Sequence, residues 1–322
     1  IIGQEGAKRG VEIAAAGNHN VVLIGSPGSG KSSLAKAMAG ILPPMCLDQA
    51  LQTSKIYSVA GIGNSSGGLI WKRPFRSPHY SASVAALIGG GSDNIMPGEI
   101  SLAHNGILFA DEFCETPKRV VEMLRAPMED RKVTISRLKS KVEYPADFML
   151  VAATNPCGYY GDGDRCTCTP SKRIAYLSRL SGPIMDRIDV QLWVSRVDAR
   201  NLVNRKPAED TATVAARVQK AREIQRQRFA EENAGIQDPD RKIFCNSAMN
   251  NRQVEKYCPL SDDCKDLLEK IIDRYGLSAR ACTRIIKLAR TIADLACLPD
   301  ILPEHISEAA GYRFLDRQNI FE

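Results

Sequence analysis

The chain has 322 residues, 43 Lys and Arg against 37 Asp and Glu, a formal net charge of +6 and 44% apolar residues. That length buries a sizeable core and divides into two domains, or one large domain with a satellite. No apolar run approaches a membrane span and no signal peptide is visible. Ten cysteines in so mixed a sequence fit buried thiols in a reducing cytoplasm rather than a secreted disulfide framework. The mild basic excess permits nucleic acid without demanding it.

The chain opens on Ile1-Ile2-Gly3 instead of Met, as expected of a piece of something longer. Ile2 to Ala16 reads as an amphipathic helix that leads into a buried strand at Asn20 to Ile24. At once comes Gly25-Ser26-Pro27-Gly28-Ser29-Gly30-Lys31-Ser32, followed by Ser33 to Ala39, a good helix former. Strand, Gly-x-x-x-x-Gly-Lys-Ser and helix in that order make a phosphate-binding loop. Glycines let backbone N–H groups curl around an anion, and the helix start adds its positive dipole end. Lys31 can reach the terminal phosphates, and Ser32 can hold Mg2+. Ile1 and Ile2, just ahead of the loop, are candidates to wall an adenine pocket.

Between Pro43 and Asn105 the sequence is long, irregular and Gly-rich, as functional or mobile loops are. Within it, Trp71 to Tyr80 interleaves cations with aromatic rings, which suits either a nucleic-acid surface or a loop pinned by its rings. Gly106-Ile107-Leu108-Phe109-Ala110-Asp111-Glu112 is a buried strand that delivers two carboxylates at its carboxyl end, where ligands of open α/β sheets sit. Asp111 would orient Mg2+ and Glu112 would polarise the attacking water. A helix is expected from Pro117 to Met128, then a hairpin whose tip lies near Arg137 to Ser140. Arg131, Lys132, Arg137, Lys139 and Lys141 concentrate on that hairpin, as a solvated tip or as a finger touching phosphates. A third strand, Phe148 to Ala153, ends at Thr154-Asn155-Pro156, so that Asn155 can reach the same phosphate edge.

These segments, with Ile184-Met185-Asp186-Arg187-Ile188-Asp189, resemble an AAA+ ATPase of the magnesium-chelatase-like group. Phe75-Arg76-Ser77-Pro78-His79, Ala86 to Gly91, Gly98 to Gly106 and Leu180-Ser181-Gly182-Pro183 resemble the YifB/ComM family in particular, bacterial proteins linked with DNA uptake and recombination. The resemblance covers essentially the whole chain. It implies a further Lon-like N-terminal domain, Walker A at Lys31 and Ser32, Walker B at Asp111 and Glu112, sensor 1 at Asn155, and an arginine finger at Arg187. The blander alternative for Arg187 is a salt bridge with Asp186 or Asp189. The family commonly shows Asn-Pro-Cys-Pro-Cys-Gly after sensor 1, whereas Asn155-Pro156-Cys157-Gly158 keeps one cysteine and Cys166-Thr167-Cys168 follows. Three such thiols and a fourth ligand, with Cys114 a candidate, would hold zinc.

The last core strand is expected at Ile188 to Val194, and a charged helix at about Thr211 to Glu231 lies between connectors. Further helices follow over Ser261 to Tyr275, Ser278 to Cys297 and Pro303 to Arg317. In the middle one Ala281, Ile285, Leu288, Ile292 and Leu295 form the packed face, while Arg280, Arg284 and Lys287 share another. Ser278-Ala279-Arg280 resembles the family's sensor 2, which makes Arg280 a second phosphate-contacting arginine. The expectation is an α/β P-loop NTPase core with a five-stranded parallel sheet over 1–205, a connecting helix and linker over 206–240, and an all-helical lid over 241–322. ATP and Mg2+ are the expected cofactors and a homo-hexameric ring the expected assembly. Two functions follow: a DNA motor, as translocase or branch-migration helicase, or a remodelling ATPase that acts on a protein partner.

Overall fold

The computed structural model describes residues 1, 3–63, 67–91, 94–136, 141–159, 166–180, 182–196, 209–238 and 241–316. Nine strands occur among them: β1 (Val21–Ile24), β2 (Phe75–Arg76), β3 (Gly89–Gly90), β4 (Met96–Pro97), β5 (Ile107–Ala110), β6 (Lys132–Ser136), β7 (Lys141–Pro145), β8 (Met149–Thr154) and β9 (Val190–Trp193). Five of them form a parallel sheet in the order β2-β5-β8-β1-β9, while β3 with β4 and β6 with β7 make antiparallel pairs. Register places Val21 of β1 opposite both Val151 and Val190, so β1 is flanked on each side.

Every residue of β1 is buried, because helices cover both faces of the sheet. Alternation sorts the side chains. Val21, Leu23, Phe109 and Val151 pack with helix Glu5–Gly17, helix Lys31–Ile41 and the C-terminal helices, whereas Val22, Ile24, Leu108 and Leu150 pack with Ile100, Phe113, Val121 and Ile184. Val133, Ile135 and Tyr144 of the β6–β7 pair join this second layer.

The C-terminal third is helical. Thr211–Arg228 is capped by Asp210, Asp262–Tyr275 by Ser261, and Ala279–Leu295 by Ser278. Gly276, at φ 62°, ends the helix before it in the left-handed region, where glycine carries no Cβ penalty. In Ala279–Leu295 the face formed by Ala281, Ile285, Leu288 and Ile292 is buried, as the four-three spacing predicts. Thr211–Arg228 packs on Glu5–Gly17, on Lys31–Ile41 and on Ala279–Leu295. The apolar cluster of the sheet therefore runs without a break into the helical region.

Two differences from the sequence reading have physical causes. The stretch after Pro43 holds a helix, Leu47–Val59, and the edge strand β2. Two residues are too few to show a period, and Pro74 and Pro78 flank them. The helix expected from Pro117 to Met128 is two, Lys118–Met123 and Arg125–Asp130, because Pro127 lacks an N–H and crowds the carbonyl a turn earlier. The expected hairpin tip lies outside the described residues.

One buried polar cluster ties the helical region to the start of β1. Asp189 accepts from the backbone N–H of Asn20 at 3.0 Å and pairs with Arg284, and His19 Nδ1 lies 3.5 Å from it. On its other side, His19 Nε2 is 2.8 Å from the Thr291 hydroxyl. Burial would push the Asp189 carboxyl up, but Arg284 and the His19 ring overcome it and hold Asp189 far below the usual carboxylate range. A depressed carboxyl stabilises the fold above its unfolded pKa of about 3.9, and that contribution is lost as pH falls. Asp189→Ala is expected to cost about 1–3 kcal/mol in urea denaturation, since the buried His19 ring, the Asn20 N–H and the half-buried Arg284 lose their shared partner. Its stability should also fall less steeply than that of the wild type below about pH 4.

Candidate active site

At the carboxyl end of β1 the chain must turn sharply into helix Lys31–Ile41. A Cβ on Gly25 would stand 2.2 Å from the Val194 carbonyl and 2.7 Å from Ser29 Oγ, so only glycine fits. Gly28 and Gly30 take φ of 76° and 93°, the left-handed values that the curl requires. Lys31 is buried across this loop and donates to Gly25 O at 2.7 Å, Ser26 O at 3.0 Å and Asn155 Oδ1 at 3.1 Å. Burial lowers its pKa, against the attraction of Asp111. Gln4 braces the loop from outside by donating to Ser29 O at 2.6 Å and Ser195 O at 3.0 Å. Sequence reasoning missed this residue, since a lone Gln ahead of a helix carries no motif.

β5 brings its two acids to the same edge. Asp111 accepts from the Ser32 hydroxyl at 3.1 Å and, through its other oxygen, from the Glu112 N–H at 2.9 Å. Glu112 itself sits at φ 49°, an uncommon conformation for a residue with a side chain. β8 adds Thr154 and Asn155, and together these groups line a cavity of about 400 Å³ with Pro27, Gly28, Gly30, Lys31, Ser32 and Ser33. The donors suit a triphosphate and a hard cation. Ser29 Oγ is buried with no partner, Lys31 is held by weak carbonyl acceptors that anionic oxygens would outcompete, and Ser32 with Asp111 offers an all-oxygen pair of the kind Mg2+ takes. Ile1, half-exposed, borders a separate cavity with Leu34, Ala37 and Val214, and Ile2 lies outside the described residues.

Arg187 and Arg280 stand elsewhere. They line a cavity of about 480 Å³ with Glu129, Arg131, Asp186, Arg284 and Lys287. Arg187 pairs with Glu129 and donates to Pro183 O at 2.7 Å, and Arg280 is 3.7 Å from Asp186. The Arg187 carbonyl accepts from the Asn20 amide at 2.9 Å, at the opposite end of β1 from Gly25. At about 3.3 Å of rise per residue, those two ends are roughly 16 Å apart. Burial, then the charges of Arg125, Arg280 and Arg284, lowers the Arg187 pKa, so the cavity is crowded with positive charge.

Of the hairpin cations, Lys132 and Lys141 are exposed and both approach Glu143, at 3.1 and 3.8 Å. Arg131 caps the helix before β6 and faces the Arg187 cavity, so it stands at the base of the hairpin and not along it. Arg137 and Lys139 lie outside the described residues. In the aromatic stretch, Arg73 donates to Pro43 O, Asn105 O and Gln49 Oε1 at 2.6, 2.7 and 3.0 Å, and burial pushes its pKa down to about 10. Arg76 makes two 2.6 Å bonds to Glu99, and Phe75 stacks on Phe109. These three residues pin the loop to the sheet, which leaves Trp71 and Tyr80 exposed.

Cys157, Cys166 and Cys168 come together, with Cys157 and Cys166 sulfurs 3.4 Å apart. Cys114 is not one of the group; burial raises its thiol to about 11 and its side chain bonds Thr154.

A parallel sheet in this strand order, a glycine-rich loop leading from its central strand into a helix, and a helical C-terminal region define the AAA+ class of P-loop folds. Within it, the chain belongs to the magnesium chelatase subunit ChlI family, whose model matches residues 1–202 and whose C-terminal model matches residues 208–313. It is 43% identical to YifB of Salmonella typhimurium over 98% of this chain and 60% of that relative. Competence protein ComM of Haemophilus influenzae is 42% identical over the same shares. DNA replication licensing factor mcm6 of Dictyostelium discoideum is 25% identical over 96% of this chain and 34% of its own length. The chain thus spans 60% of the two bacterial relatives. No helix among the described residues is long and apolar enough to cross a membrane.

Gly25→Ala is expected to destabilise the fold by about 1–3 kcal/mol, because the added methyl meets main chain that cannot swing away. Thermal and urea denaturation beside Gly28→Ala, whose Cβ meets nothing within 4 Å, separates crowding from backbone strain.

Proposed function

We propose that this chain is the ATP-hydrolysing module of a ring-shaped, cytoplasmic DNA motor, a translocase or branch-migration helicase. The observation that carries the reading is the division of charge. Lys31, Ser32, Asp111, Glu112 and Asn155 share one cavity, while Arg187 and Arg280 share another at the far end of β1. Arginines so placed serve a neighbouring subunit's phosphates rather than their own, and a closed ring, here taken as a hexamer, supplies every site with a neighbour.

In this reading the loop N–H groups and Lys31 hold the phosphates of ATP, with Lys31 exchanging its carbonyl partners for phosphate oxygens. Ser32 and Asp111 hold Mg2+, which when bound neutralises charge on the phosphate oxygens. Asn155 orients the attacking water. As the water oxygen bonds to the γ-phosphorus, its proton passes to Glu112 and the bond to the β–γ bridging oxygen breaks, releasing ADP and phosphate. Arg187 and Arg280 of the adjacent subunit meet the charge that grows on the transferring group. ComM is named a competence protein and mcm6 a replication licensing factor, which supports DNA as the track. The pairing of both Lys132 and Lys141 with Glu143 favours the second reading, a remodelling ATPase whose hairpin meets a protein.

Glu112→Gln is expected to keep ATP binding and lose turnover by about 10²–10⁴-fold, while Lys31→Ala loses binding itself. Turnover of Glu112→Gln at the wild-type rate would remove the base assignment. Arg187→Ala should lower hydrolysis by roughly 10³-fold with nucleotide affinity retained. Mixing it with Lys31→Ala subunits should restore part of the activity, because mixed rings pair an intact cavity with an intact arginine; no recovery in assembled mixtures rules out action between subunits. Lys132→Ala with Lys141→Ala should weaken DNA binding and flatten the log–log salt slope by roughly 2. An unchanged slope in the full-length protein moves the reading to a protein partner.

A further inference from the structure

Three thiols converge where β8 hands over to helix Pro170–Leu177. Cys157 is buried two residues past Asn155, and Cys166 and Cys168, both half-buried, precede Thr169, the N-cap of that helix. All three sulfurs lie within 4.8 Å of one another, and Cys157 and Cys166 are 3.4 Å apart. Two sulfurs on one tetrahedral zinc, each about 2.3 Å from the metal, stand about 3.8 Å apart. The trio therefore has the size of one face of a zinc–thiolate tetrahedron. A disulfide would use two of these sulfurs and leave the third idle. No His, Asp or Glu among the described residues joins the group, so its donors are all soft.

We propose that Cys157, Cys166 and Cys168 bind one zinc ion, with the fourth position open to solvent. The ion closes a brace around the active-site edge. On one side it fixes the exit of β8 just beyond Asn155. On the other it fixes the start of a helix whose Tyr176 hydroxyl bonds Glu115 at 2.8 Å, while Arg179, just past its end, reaches Glu115 at 3.3 Å. Glu115 closes the turn that Glu112 opens. The two strand ends that carry Glu112 and Asn155 are thereby held to one another through a bound cation and one short helix.

The test is metal analysis of the chain purified in reducing buffer without chelator, with Co2+ substitution read by absorption. Stoichiometric zinc is expected, with thiolate-to-cobalt charge-transfer bands in the exchanged protein. Cys166→Ser and Cys168→Ser should each lose the zinc and the bands, whereas Cys114→Ser should keep both. A chelator should lower the melting temperature of the wild type and leave that of Cys166→Ser unmoved. Zinc-free protein that is folded and reduced, zinc retained by both serine variants, or a Cys157–Cys166 disulfide in peptide maps would each overturn the site. None of these readouts involves nucleotide, so the metal and the ATPase reading stand or fall separately.

Discussion

The rest of the structure depends on β1 being buried along its whole length between two parallel neighbours. A four-residue strand with apolar side chains on both faces cannot slide or tilt without opening both layers of the core. Its register against β8 and β9 is thus fixed, and both ends become rigid mounting points. At one end the chain is forced into the glycine curl, where Lys31 bridges from its own loop to Asn155 at the end of the adjacent strand. At the other, Asn20 and His19 meet Asp189 and the helical region.

That arrangement explains why the helical region is not a loosely tethered appendage. Asp189 sits on the segment entering β9 and Arg284 and Thr291 on Ala279–Leu295; in the cluster they make with His19, all but the half-buried Arg284 are buried. A second set repeats the device nearby, where Asp294 accepts from Arg228 at 2.8 Å, from Arg290 at 3.1 Å and from Asn246 at 2.8 Å. Buried charges so fully partnered fix orientation more than they add stability. They join Thr211–Arg228 and Ala279–Leu295 into one body.

The parts legible in the sequence are those with a strong local signal. Runs such as Val21 to Ile24 and Met149 to Ala153, short, apolar and bounded by turn residues, read as interior strands, and Gly25 to Ser32 carries its own geometry in its glycines. The convergence of Lys31, Ser32, Asp111 and Asn155 follows once those strands are parallel, because each group sits at a carboxyl end. What was not legible depends on partners far along the chain. Phe75–Arg76 is a strand only because Ile107 and Leu108 lie beside it, and Arg73 reads as a free cation until Pro43 and Asn105 supply its acceptors. Arg280 lies on the helix face that was expected, yet which cavity that face meets is a matter of how Ala279–Leu295 packs, and no period encodes it.

Asn20 concentrates much of this in one side chain. Its amide nitrogen holds the Arg187 carbonyl at 2.9 Å, its amide oxygen takes the Leu150 N–H at 2.8 Å, and its own N–H is bound by Asp189 at 3.0 Å. Leu150 belongs to β8, the strand that leads into Asn155. One carboxamide thus ties the segment bearing Arg187 directly to β8, at the end of the sheet opposite the glycine curl and without passing through the curl itself.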